Sequence, residues 1–126
     1  MITSSKFGGL TPSNLQFSSI SDDASGLVYR LQEPHSDRVT AIIKFGNVIA
    51  YRVADESVLL EYWAHKLANT SHLIWEFKGG DFLNWMEKAS YRSFAVEDGV
   101  RHFIVVTQSI CLEVLTNKEP IVELIE

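Results

Sequence analysis

The stretch Val100-Arg101-His102-Phe103-Ile104-Val105-Val106-Thr107-Gln108-Ser109-Ile110-Cys111-Leu112-Glu113-Val114-Leu115 decides the fold. It holds two apolar, β-branched runs, Val100 to Thr107 and Ile110 to Leu115, each too short for a typical helix. The spacer Gln108-Ser109 suits a tight two-residue hairpin. That spacer pairs Thr107 with Ile110, so His102 is expected opposite Leu115 and not opposite Cys111. The second run ends at Thr116-Asn117-Lys118-Glu119-Pro120, where proline closes the strand.

Upstream, Leu27 to Gln32 alternates, with Leu27, Tyr29 and Leu31 on one face. Val39 to Phe45 repeats the alternation through Val39, Ala41, Ile43 and Phe45. Gly46-Asn47 reads as a hairpin loop, the glycine supplying the positive φ of a type II′ turn, and Val48 to Val53 returns as a third strand of a meander. Asp55-Glu56-Ser57 offers helix-capping side chains, and Leu60, Trp63, Ala64 and Leu67 form one helical stripe, predicting a helix near 57–68. His72 to Lys78 switches to period two. Asp81 is the expected N-cap of a second helix near 81–90, with Phe82, Trp85, Met86 and Ala89 as its buried stripe. The order is βββ-α-β-α-ββ: an α+β fold with a mostly antiparallel sheet packed against two helices. Trp63, Trp75, Trp85 and Phe45 are expected in the core. The chain of 126 residues reads as a single domain, 1–126, whose Ser/Thr/Gly-rich residues 1–25 form a loose arm with a short edge strand around Leu15 to Ile20.

A hydrophobic content of 46% and a charged content of 21% argue for a folded globular chain. The net charge of −5 disfavours nucleic acid as a direct partner, because phosphate backbones are held by Lys and Arg. Residues 1–80 hold eight acids and seven bases, and residues 81–126 hold eight acids and four bases. The second half therefore carries most of the surplus and would attract a basic macromolecule, although surplus acids most often only solubilise a surface. A single cysteine, Cys111, fits a reducing cytosol. No apolar run approaches the ~20 residues of a membrane span, and Met1 to Leu15 lacks the apolar segment of a signal peptide. The expected location is cytoplasmic, without membrane contact.

No pattern of catalytic residues stands out. Glu61 and His65 sit four apart, but a zinc site needs at least three protein ligands, and a surface pair is the simpler reading. A Cys111–His102 nucleophilic pair is opposed by the strand register. Neither Gly8-Gly9 nor Gly79-Gly80 has the spacing of a phosphate loop. No metal, no cofactor and no enzymatic activity are expected.

Taken together, Ile42-Ile43-Lys44-Phe45, Tyr51-Arg52-Val53-Ala54-Asp55-Glu56-Ser57, Gly80-Asp81-Phe82-Leu83-Asn84-Trp85, His102 to Thr107 and Cys111 to Leu115 with Glu119-Pro120 form a pattern covering roughly residues 27–121. The pattern resembles small bacterial immunity proteins paired with contact-dependent growth-inhibition or other polymorphic toxins. The resemblance implies a non-catalytic protein that binds and neutralises one cognate toxin domain, often a nuclease. The acidic second half suits a basic nuclease partner. Candidate partner-binding residues are the carboxylates Asp22, Asp23, Glu97, Asp98 and Glu113, most of them in expected loops or outside the core stripes. A generic accessory or interaction domain is the alternative, and a small enzyme the third reading.

Overall fold

The computed structural model describes residues 2–4 (as backbone), 15–24, 26–33, 35–55, 73–77, 81–91, 99–107 and 110–125. Its elements are the strands β1 (Ile2–Ser4), β2 (Gln16–Asp23), β3 (Gly26–Gln32), β4 (Val39–Phe45), β5 (Val48–Asp55) and β6 (Ile74–Phe77), the helix α1 (Asp81–Ala89), and the strands β7 (Arg101–Val106), β8 (Ile110–Thr116) and β9 (Ile121–Leu124). The expected turn at Gln108-Ser109 lies outside the described residues, but its consequence does not. Thr107 N–H donates to the Ile110 carbonyl at 3.1 Å, and His102 pairs with Leu115 while Val106 pairs with Cys111.

Two antiparallel sheets form, where a single sheet was expected. One runs β1-β6-β7-β8-β5 and the other β2-β3-β4-β9. The correction originates at Gly46-Asn47. This dipeptide does not fold β5 back onto β4; it carries the chain from one sheet to the other, so that β4 pairs with β3 and β9 while β5 pairs with β8. The positive φ also falls on the other residue, Asn47 at 48°. Asparagine tolerates this left-handed conformation better than most side chains do.

Within the expected loose arm over residues 1–25, the short edge strand expected around Leu15 to Ile20 is present and longer, while residues 5–14 lie outside the described residues. Residues 16–23 are a full strand, β2, paired along β3. Serines disguised it: Ser19 and Ser21 occupy the outer face and accept hydrogen bonds from the Arg30 guanidinium at 3.4 and 3.1 Å. Beyond Pro120 the chain makes a further strand, β9, that the sequence reading did not include. The helix expected near 57–68, with Trp63, lies outside the described residues.

The two sheets face each other across one core. Leu27, Tyr29, Leu31, Ala41, Ile43 and Phe45 meet Phe103, Val105, Leu112 and Val114. The reverse face of the five-stranded sheet is also covered. There Ile104, Val106 and Cys111 pack with Trp75 and Phe77, and Phe82, Leu83 and Met86 of α1 pack on Val100 and Leu115. Burial on both faces explains why β7 and β8 read as near-continuous apolar runs rather than alternating ones. Phe45 is buried as expected and Trp75 is half-buried. Trp85 is not in the core; it is 55% exposed. The buried stripe of α1 is Phe82, Leu83 and Met86, so the helix is rotated relative to the expected Phe82, Trp85, Met86, Ala89 face.

Gly26 opens β3 at φ +119°, and a Cβ there would stand 2.7 Å from the Phe45 carbonyl oxygen. Both the conformation and the space demand glycine. Gly26→Ala is expected to lower stability by about 1–3 kcal/mol, the usual cost of forcing such a backbone, in urea denaturation. A neutral result would mean that the β3–β4 register differs from the one described.

Candidate functional site

Three strands each place one polar side chain on the face of the five-stranded sheet that α1 covers: Arg52 from β5, His102 from β7 and Glu113 from β8. Arg52 lies directly opposite Glu113, and His102, opposite Leu115, is diagonal to it. Glu113 and His102 have no solvent exposure. The Glu113 carboxylate accepts from Arg52 Nε, from Arg52 Nη2 at 3.1 Å and from His102 Nε2 at 2.9 Å. Because an ionised carboxylate only accepts, Nε2 carries a proton in this arrangement.

The N-terminal turn of α1 closes over the cluster. The Arg52 guanidinium carbon lies 4.4 Å from the centre of the Phe82 ring, and Arg52 Nη2 is 3.6 Å from Asp81 Oδ1. The rings of Phe82 and Phe77 stand 5.6 and 5.8 Å from the His102 ring, both edge to face. His102 Nδ1 is buried without a hydrogen-bond partner among the described residues. A histidine oriented by a carboxylate is a familiar part of acid–base catalysis, but such a pair needs access to a reacting group. Here the described residues enclose the ring, so the cluster supports α1 on the sheet.

Burial pushes the Glu113 carboxyl up. The hydrogen bonds from His102 and Arg52, with the Arg52 charge, more than reverse this and hold it below its ordinary value. Glu113 was expected among the surface acids that meet a partner. That expectation is corrected, because a carboxylate with zero exposure contributes nothing to an acidic surface. Asp22 and Asp23 are exposed at the end of β2, where Asp22 pairs with Leu27 and Asp23 with Gly26. Glu97 and Asp98 lie outside the described residues, as do Glu61 and His65. Among the described residues, the exposed Asp22 and Asp23 and the buried Glu113 do not form one surface. Cys111 is buried in β8, two residues along the same face from Glu113. Among the described residues no three His, Cys, Asp or Glu side chains are placed to hold a metal ion, and no helix is long and apolar enough to cross a membrane.

The exposed side of α1 carries a feature that the sequence reading missed. A groove of about 200 Å³ runs between β5 and α1, lined by Ile49, Ala50, Trp85, Met86, Ala89 and Ser90. Past the end of the helix Tyr91 is 94% exposed. It adopts φ +51°, a left-handed conformation strained for a bulky residue and more usual for the glycine that ends a helix. The sequence carries no signal for the exposure of Trp85, because period 3.6 allows either Leu83 or Trp85 to join Phe82 and Met86 on the buried face.

No protein family, curated protein or solved structure matches the chain.

Glu113→Gln keeps the side-chain shape and removes the charge that Arg52 requires. It is expected to cost about 1–3 kcal/mol at neutral pH, the range for disturbing a buried hydrogen-bonded group. The sign with pH follows from the lowered folded-state value. The ionised carboxylate stabilises the fold above its unfolded-state value, and that contribution is lost as pH falls through the folded-state value. The gap between wild type and Glu113→Gln, measured by urea denaturation across pH, should therefore narrow on acidification. A gap that widens would contradict the ionised, doubly bonded carboxylate.

Proposed function

We propose that this chain is an immunity protein: a cytoplasmic, non-catalytic protein that binds one toxin domain, a basic nuclease, and neutralises it stoichiometrically. The observation that carries this reading is the aromatic pair on the exposed side of α1, Trp85 beside its apolar groove and the strained Tyr91 just beyond the helix. Tryptophan and tyrosine dominate the few residues that supply most of the energy of a protein interface. One face of Trp85 stacks on Phe82, with ring centres 5.7 Å apart, yet 55% of the side chain stays exposed beside the groove, and that remainder is better accounted for by a partner than by the fold. Strain held at a surface residue points the same way, since stability alone would place glycine at position 91.

Charge supports the identity of the partner. Residues 81–126 hold eight acids and four bases; Glu113 is buried and adds nothing to the surface, but the sequence surplus remains acidic without it, and the exposed Asp22 and Asp23 add to the acidity elsewhere. A nuclease carries basic residues to hold its phosphate substrate, so opposite fields would steer the two proteins together. The resemblance of residues 27–121 to immunity proteins supports the same reading.

The test is binding to the purified product of the adjacent gene. One-to-one association is expected. Trp85→Ala should weaken it by about 2 kcal/mol or more, as a hot-spot aromatic does, while changing stability by less than about 1 kcal/mol because the side chain is outside the core. Asp22→Asn with Asp23→Asn should slow association more than it speeds dissociation. The association rate should also fall as the Debye length contracts from about 10 Å at 0.1 M salt to about 3 Å at 1 M. Absence of binding removes the immunity assignment, whereas binding untouched by Trp85→Ala removes α1 from the interface.

A further inference from the structure

β9 is the outermost strand of the four-stranded sheet, and among the described residues no strand pairs with its far side. Its ladder with β4 fixes the direction of every backbone group. The Ile125 N–H donates to the Thr40 carbonyl at 2.8 Å, and the register continues with Leu124 opposite Ala41, Glu123 opposite Ile42, Val122 opposite Ile43 and Ile121 opposite Lys44. Hydrogen-bonded and non-hydrogen-bonded pairs alternate along an antiparallel ladder. Ile121, Glu123 and Ile125 are thus bonded toward β4, and the N–H and C=O groups of Val122 and Leu124 point outward.

The side chains around these outward groups are unusually apolar for an edge. Ile121 is 60% exposed, Leu124 67% and Ile125 39%. Natural edges are blunted by brevity, proline or charge. β9 is short and follows Pro120, yet its exposed residues are apolar on both faces: Ile121 and Ile125 beside Glu123 on the outer face, Leu124 on the core-facing side. The single charge of the strand is at its centre. Glu123 is paired with Lys44 at 3.0 Å, but both side chains are nearly half exposed, 48% and 45%, so the pair holds the carboxylate only loosely.

That central carboxylate selects the occupant. A second copy of this chain engages the outward groups of both Val122 and Leu124 only when added antiparallel about a two-fold axis through residue 123, and that register would set Glu123 against Glu123, where like charges directly opposite are destabilising. A basic residue there is favoured instead. We propose that β9 is a docking edge for an extended segment of a protein partner, in which a Lys or Arg is flanked two residues away on each side by apolar residues. The segment adds as a fifth strand. Its backbone exchanges hydrogen bonds with Val122 and Leu124, its basic side chain meets Glu123, and its apolar residues cover Ile121 and Ile125. The edge belongs to the sheet that does not carry α1, and this inference stands whether or not the partner is a toxin.

The probe is a capped pentapeptide, Val-Thr-Lys-Thr-Val, titrated into the full chain and followed by amide hydrogen exchange and NMR. Protection should appear at the amides of Val122 and Leu124, with little change at Glu123, whose amide is already bonded to β4. The control peptide with glutamate in place of lysine should bind about fivefold more weakly, the share of one cross-strand charge pair, and Glu123→Lys should invert that preference. Leu124→Pro removes one outward donor without touching the β4 ladder, and it should abolish protection at Val122. Three results would each overturn the inference: no protection at either amide at millimolar peptide, equal binding of the two peptides, or a peptide-free dimer in sedimentation with both amides already protected.

Discussion

Strands β7 and β8 are covered on both faces, and most other features of the molecule answer to that constraint. A strand pair with one wet face can discard a polar residue into water; this pair cannot. Glu113 sits within it at zero exposure. Removing a carboxylate from water costs several kcal/mol unless its oxygens are fully bonded. The three bonds from Arg52 and His102 supply what is needed. That requirement propagates outward, since it fixes Arg52 at the one position of β5 that faces Glu113. It also fixes Phe82 over the guanidinium, and therefore the seat of α1.

The same covering decides which side chains reach solvent. Among the described residues, the one histidine–carboxylate pair in hydrogen-bond contact, His102 and Glu113, is enclosed by the fold. The features that reach solvent are of another kind: aromatic side chains at one helix, loosely held charges, and a strand edge with outward backbone groups. Interfaces are assembled from such groups, with a few large aromatic contacts supplying energy and peripheral charge setting speed and partner choice.

Several elements could be read from the chain because their signal is local. The β7–β8 register follows from a two-residue spacer, and the observed pairing of His102 with Leu115 is what that spacing demands. The alternation in Leu27 to Gln32 and in Val39 to Phe45 marks strands whose inner residues are the observed core. What the chain conceals is which strand edges meet. Gly46-Asn47 between two alternating runs is equally compatible with a hairpin and with a step between sheets, and only the competing partners, β8 for β5 and β9 for β4, decide it. The helix face was misread for a related reason. Period 3.6 permits neighbouring stripes, and the choice of Leu83 over Trp85 depends on the sheet beneath. Glu113, named among the surface acids, was the most legible misplacement. An acid between Leu112 and Val114 in a central strand implies a buried charge, and Arg52 was the cation available on an adjoining strand.

The step between sheets at Gly46-Asn47 also governs when the fold can close. β2, β3 and β4 are neighbours in the chain and can zip together early, whereas most of the described residues that cover their inner face, with Tyr29, Ile43 and Phe45, come from β7 and β8. The fourth strand of that sheet is β9, the last of the described strands in chain order. Synthesis from the N-terminus therefore completes the first meander well before the strands that cover it. Pairings at such sequence separation fold slowly, and apolar surface left exposed meanwhile is prone to aggregate. Its passage through the cell rests on how long that first meander can wait in water for its lid.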